Sequence, residues 1–195
     1  MNKLRFRDNK MSHKGLETIL KGVEMCSLRT LDFGQNFRGH PSACKIICDF
    51  LTRDRSVEEI CFGNAQLVSD EDLSKETDAG RCIYLMLQRN ACLTSILLGE
   101  NDLNNDCLKQ IAQGVEENKR ITRLSLAQNA LSREDPWART HVPHLSSMIL
   151  KSNLQTLHVG NVDMSGNRIV PLVRALASED CWLADLTFGR NGIRS

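Results

Sequence analysis

Two rhythms of apolar and polar positions alternate along this chain. The first is clearest at Leu93, Ile96, Leu98, Asn101 and Leu103, which stand at offsets 1, 4, 6, 9 and 11 of a short template. Its centre, Ile96-Leu97-Leu98, suits a short strand with one face buried. The Asn at offset 9 falls where the chain must turn away from the strand. An amide side chain has donors and an acceptor for main-chain groups of its own turn and the next. The second rhythm is helical. Leu16, Ile19, Leu20 and Val23 recur at i, i+3, i+4 and i+7, as do Leu108, Ile111, Ala112 and Val115, and Ile169, Leu172, Val173 and Leu176. A further helix is predicted from about Pro41 to Thr52, with Ala43, Ile46, Ile47 and Phe50 facing inward and Pro41 in the first turn, where its missing N–H costs little. Ser165 or Asn167 is placed to cap the helix that carries Leu172.

The strand template recurs seven times. The first copy is Met1, Leu4, Phe6, Asn9 and Met11. The second is Leu28, Leu31, Phe33 and Asn36, with Arg38 in the last apolar slot. The third is Val57, Ile60, Phe62, Ala65 and Leu67, and the fourth starts at Leu93. The fifth is Ile121, Leu124, Leu126, Asn129 and Leu131. The sixth is Leu154, Leu157, Val159, Val162 and Met164, and the seventh is Leu183, Leu186, Phe188, Asn191 and Ile193. First positions at 1, 28, 57, 93, 121, 154 and 183 give steps of 27, 29, 36, 28, 33 and 29. Each unit reads strand, turn, helix, turn. No single unit can bury its apolar face alone, so stacking must supply the core.

The motif L-x-x-L-x-L-x-x-N-x-L with a period near 28 resembles the leucine-rich-repeat superfamily, and specifically its ribonuclease-inhibitor-like subfamily. The resemblance implies an α/β solenoid over residues 1–195: a curved horseshoe of about seven β-α repeats, parallel strands on the concave face and helices on the convex face. It also implies a protein-binding role, because that superfamily chiefly binds proteins. The first template position falls on Met1, and no helical stretch follows Asn191 before Ser195. Solenoid ends generally need polar caps. The expectation is therefore a fragment of a longer chain, or an end covered by a partner.

Composition narrows the classes. The formal charge of +1 gives no reason to expect nucleic acid or a bilayer surface. No apolar run approaches the roughly 18 residues of a membrane span, and Met1-Asn2-Lys3-Leu4-Arg5-Phe6 is too polar for a signal peptide. The eight cysteines mostly occupy slots for small apolar residues, a pattern of reduced, packed thiols in the cytoplasm or nucleus.

Candidate chemistry is sparse. His40, Cys44 and Cys48 are spaced i, i+4, i+8, but a zinc site needs a fourth ligand. His141 and His144 lack an acidic partner at zinc-protease spacing. Cys61 and His158 stand on strands three repeats apart, roughly 14 Å by strand spacing, too far for a nucleophile–base pair. No phosphate-cradling loop appears, and no cofactor is expected. The strands carry no aromatic ladder for base stacking.

Binding residues are read from the template. Offsets 2, 3, 5, 7 and 8 line the concave face. They single out Arg5, Arg7, Asp32, Glu58, Glu59, Glu100, Arg123, His158 and Arg190 as partner contacts. The first repeat is basic and the third acidic. Offset 7 is Gly34, Gly63, Gly99, Gly160 and Gly189. These glycines are expected to serve the turn leaving the strand. Ala65 and Val162 replace the turn Asn in repeats three and six, which predicts looser polar pairing there. Insertions around 69–77 and 132–140 should emerge on one rim, where Trp137 is a candidate anchor. The leading expectation is a non-enzymatic scaffold that binds a protein through the concave strands and these insertions. The alternatives are a GTPase regulator resembling Ran GTPase-activating proteins, or the sensor or autoinhibitory segment of a larger receptor or effector.

Overall fold

The computed structural model describes residues 2–37, 42–65, 67, 79–131, 141–162 and 169–191. Strands and helices alternate throughout them: β1 (Lys3–Arg5), α1 (His13–Val23), β2 (Thr30–Asp32), α2 (Ser42–Arg53), β3 (Glu59–Cys61), α3 (Ala79–Arg89), β4 (Ser95–Leu97), α4 (Asn105–Glu117), β5 (Arg123–Ser125), α5 (His141–Lys151), β6 (Thr156–His158), α6 (Val170–Leu176) and β7 (Asp185–Thr187). The strands form one sheet in chain order, every neighbouring pair parallel. Leu4, Leu31, Ile60, Ile96, Leu124, Leu157 and Leu186 stand side by side across it. These are the offset-4 residues, so the register of the fold is the register of the motif.

The core lies between the sheet and the helices. Successive side chains of a strand point to opposite faces. The offset-4 and offset-6 residues therefore share the helix side, where Leu31, Phe33, Ile60, Phe62, Ile96 and Leu98 are buried against Leu16, Ile47, Ile83 and Ile111. Each helix packs on the next one along the chain. Ser12 caps α1 by accepting the Gly15 N–H at 3.3 Å, and Asn104 caps α4 by accepting the Cys107 N–H at 2.9 Å. In α2, Ala43, Ile47 and Phe50 are buried and Ile46 is partly so; Cys44, Cys48 and Leu51 join them. Ser165, Asn167 and Pro41 lie outside the described residues, and α6 has no side-chain cap.

One core assignment is corrected. Val173 was assigned to the apolar stripe of its helix but is 51% exposed. It holds the place, twentieth from the start of its repeat, that Leu20 and Ala112 hold in repeats one and four, where both are buried. Those two are covered by the following helix. Among the described residues, α6 packs only on α5.

The turn after each strand is where neighbouring repeats come closest. A Cβ added at Gly34 would meet the Gly63 carbonyl oxygen at 2.9 Å, and one at Gly99 would meet that of Ala127 at 3.1 Å. Gly34, Gly99 and Gly160 serve the turn by making room for the next repeat, whereas Gly63 and Gly189 face ordinary or open space. The unusual dihedral belongs to the following residue. Asp8, Gln35, Asn64, Glu100, Gln128, Asn161 and Arg190, all at offset 8, have φ between 53° and 61°. That left-handed conformation costs a non-glycine residue roughly 1–2 kcal/mol. It aims each N–H at the offset-7 carbonyl of the next repeat. Gln35 donates to Gly63 at 3.0 Å, Asn64 to Gly99 at 2.9 Å, Glu100 to Ala127 at 3.0 Å and Gln128 to Gly160 at 2.8 Å.

The offset-9 asparagines tie the turns from inside. Asn101 Nδ2 donates to the carbonyls of Phe62, Leu98 and Gly99 at 2.9–3.1 Å, and its Oδ1 accepts the Ala65 N–H at 2.9 Å. Asn129 accepts the N–H of Asn101 at 3.0 Å, Asn36 that of Asn9 at 2.8 Å, and Asn191 that of Val162 at 2.8 Å. Each Asn thus reaches back to the repeat before it. This moves the expected weakness. Ala65 and Val162 keep partners for their N–H groups, because the next repeat supplies the oxygen. The side-chain oxygen is missing one repeat upstream, for the N–H of Asn36 and Asn129.

Two outcomes follow. In amide hydrogen exchange, Asn36 and Asn129 should exchange faster than Ala65 and Val162. Asn101→Ala should lower stability to denaturant by about 2–4 kcal/mol, because several buried groups lose partners together. Gln113→Ala, on an exposed helix face, should stay within about 0.5 kcal/mol.

Candidate functional site

Among the described residues the helices cover one face of the sheet and none covers the other, on which Thr30, Asp32 and Ser95 are nonetheless buried. The residues flanking each buried offset-4 position point to this open side. Lys3, Thr30, Glu59, Ser95, Arg123, Thr156 and Asp185 form one row in register; Arg5, Asp32, Cys61, Leu97, Ser125, His158 and Thr187 form the next. At about 4.8 Å per strand, six steps carry the rows across roughly 29 Å.

The structure brings nine of the expected contact residues onto this face or its margin. Arg5 is exposed on β1. Arg7 Nε reaches Asp32 Oδ1 at 3.8 Å. Its guanidinium lies against the Gly34 turn, within 2.9 Å of where a Cβ would stand. The first repeat therefore fills part of the space the glycine column leaves. Asp32 is only 8% exposed and accepts the Gly34 N–H at 3.0 Å, so it holds its own turn as well as Arg7. Glu58 pairs with Arg29 at 3.7 Å, and both are well exposed. Glu59 is half-buried on β3. Glu100 accepts the Asn64 amide at 3.4 Å and the Gln128 amide at 3.3 Å, spanning three repeats. Arg123 is exposed between Ser95 and Thr156. His158 Nε2 stands 3.7 Å from Asp185 Oδ2. Arg190 is exposed at the far margin. Trp137, His40 and both insertions, 69–77 and 132–140, lie outside the described residues.

Exposed pairs of this kind contribute little to stability, roughly 0–1 kcal/mol each. Their significance is the pattern they present: basic at the first repeat (Lys3, Arg5, Arg7), acidic at the third and fourth (Glu58, Glu59, Glu100), basic again at Arg123. Potentials of alternating sign on a fixed frame favour one docking register over others.

Burial pushes the Cys61 thiol up. The Asp32 carboxylate adds to that rise, against the Gly63 N–H and Arg7, which pull it down. Burial lowers His144, and Lys109 adds to the effect. None of the eight cysteines forms a disulfide. Cys44, Cys48 and Cys107 are buried in the core and Cys82 and Cys181 pack against it, as expected of packed thiols; Cys61 and Cys92 are half-buried and Cys26 is exposed.

Sequence reasoning missed a second polar column on the helix side. Asn90 and Asn118 sit three residues before the first apolar position of the next repeat, as does Asp54. Asn90 Nδ2 donates to the Leu51 carbonyl at 2.6 Å and Asn118 Nδ2 to those of Leu87 and Asn90 at 2.8 and 2.9 Å. Their oxygens, and that of Asp54, accept N–H groups of the chain re-entering the sheet. Their shared spacing before Val57, Leu93 and Ile121 was the available signal.

No protein-family model matches the sequence, and no curated protein matches it. Solved structures do. The leiomodin-1 actin-binding site 2 aligns with a TM-score of 0.56 at 13% identity, covering 91% of this chain and 79% of that one. A Caenorhabditis elegans tropomodulin C-terminal domain aligns with a TM-score of 0.63 at 12% identity, covering 83% and 90%. At such identities the similarity is one of fold. It agrees with the sheet and motif in defining a leucine-rich-repeat-like α/β chain.

Cysteine labelling checks the geometry of the open face. At neutral pH, iodoacetamide should modify exposed Cys26 at least about tenfold faster than Cys61, whose thiolate is disfavoured. Asp32→Asn removes one of the groups raising Cys61 and should speed its modification, read by peptide mass spectrometry.

Proposed function

We propose that this chain is a non-catalytic protein-binding domain whose open sheet face docks a protein partner. The observation that carries the reading is the uncovered face itself: seven in-register strands holding charges of alternating sign on a frame stiffened by turn-to-turn hydrogen bonds. The contact set is Arg5, Arg7, Glu58, Glu59, Glu100, Arg123, His158 and Arg190, with Asp32 orienting Arg7. Trp137 is a further anchor proposed from the sequence. The period near 28, with a helix in each unit, supports the ribonuclease-inhibitor-like subfamily and hence a curved sheet with its strands on the inner side. A cytoplasmic setting fits eight cysteines that form no disulfide. Among the described residues no helix is long and apolar enough to cross a membrane.

Actin is the first partner to test, because the leiomodin-1 structure of similar fold is an actin-binding site. The experiment is co-sedimentation with filamentous actin and fluorescence anisotropy with monomeric actin. The double variant Glu58→Lys/Glu59→Lys should weaken binding at least about tenfold, as like charges brought to an interface cost several kcal/mol. Absence of actin binding removes actin as partner. If a partner later identified by cross-linking binds the double variant with unchanged affinity, the sheet face is not its dock.

A further inference from the structure

We propose that the groove between α2 and α3, on the helix side and away from the sheet face, docks an acidic amphipathic helix of another protein. The groove encloses about 690 Å³. Its α2 wall carries Lys45, Asp49 and Arg53, and its α3 wall carries Arg81, Leu85 and Arg89. Each set is spaced four residues apart, so it lies along one helix face. Eight residues at 1.5 Å rise make each stripe roughly 12 Å long.

The charge is lopsided. Among the described residues, four cations against one carboxylate give the lining a net +3 in a chain whose whole charge is +1. Asp49 is already engaged by Lys45 at 3.4 Å, and Arg53 leans toward Glu24 of α1 at 3.6 Å. Among the described residues no carboxylate pairs with Arg89. The neighbouring groove between α1 and α2 differs: Glu17, Glu24 and Asp49 outnumber Lys21 and Arg53 there, for a net −1. Of these two neighbouring grooves, the one between α2 and α3 is the positive one.

An apolar step lies between the charges. Leu85 is 39% exposed, a value few large apolar side chains here reach, and it sits midway between Arg81 and Arg89. Beside it Cys82 is half-buried, and Met86 and Cys48 form the floor. The occupant that matches is a helix with carboxylates at i and i+8 and an apolar residue at i+4, lying in the groove with its apolar side down. Nucleic acid fits less well, because among the described residues no aromatic side chain lines the groove for base stacking. A bilayer surface fits less well because the apolar step is recessed between two helices.

The test uses the whole chain and a fluorescein-labelled helical peptide of about 15 residues, with Glu, Leu and Glu at i, i+4 and i+8 in an alanine–glutamine background. Anisotropy should show saturable binding that weakens at least about fivefold between about 50 mM and 300 mM salt. Arg89→Glu and Lys45→Glu should each weaken it at least about fivefold, and Leu85→Ser about threefold, all at exposed positions that leave the fold intact. Glu58→Lys on the sheet face should change nothing, which separates this dock from the sheet-face dock. No saturable binding, or binding unmoved by Arg89→Glu and Leu85→Ser, overturns the proposal. Tighter capture of phosphatidylinositol-bisphosphate vesicles or of a single-stranded oligonucleotide than of the peptide overturns it as well.

Discussion

A parallel strand of three residues cannot hold itself in place. What holds each one is the turn that follows it, where the backbone passes within van der Waals distance of the next turn. That approach leaves no room for a side chain at Gly34, Gly99 and Gly160, and it goes with a left-handed residue at offset 8 whose N–H is directed into the next repeat. The helices, the core and the open face all inherit their spacing from this contact. The strain recurs at seven turns, and at the first six it is offset by a hydrogen bond to the next repeat, so it persists in the stacked chain.

Much of this was legible from spacing alone. Offset 4 of the motif became the paired row from Leu4 to Leu186, and the stripe at Leu108, Ile111, Ala112 and Val115 became the buried face of α4. What escaped were features that depend on the neighbouring repeat. Offset 8 holds Asp, Gln, Asn, Glu and Arg, a mixture in which only Asp and Asn hint at positive φ. The exposure of Val173 depends on whether a helix follows, which periodicity within one helix cannot report. The weak points of the asparagine column shifted by one repeat because each Asn serves its predecessor, a direction invisible in a one-dimensional pattern. Asp32 reads as a surface charge in sequence, yet it is buried holding Gly34 and Arg7.

The two proposed docking faces divide the molecule's labour between its two kinds of element. The strands offer a broad array of mixed charge, suited to reading a large folded surface. The α2–α3 groove offers a narrow slot with a net positive lining and one apolar step, suited to a short linear segment. The faces lie on opposite sides of the core, so occupation of one leaves the other accessible. On these two proposals the chain would hold two partners at once.

The interruptions at Ala65 and Val162 also bear on how the array comes apart. Asparagine ties run within repeats one and two, three to five, and six and seven, and skip the joints between. On the helix side Asn90 spans the first of these joints by its bond to Leu51, while among the described residues no asparagine crosses the second. Linear arrays lose structure by neighbour-to-neighbour steps. Heat or tension should therefore part this one first at the seam between α5 and β6, releasing the last two repeats as a block and leaving the first five folded.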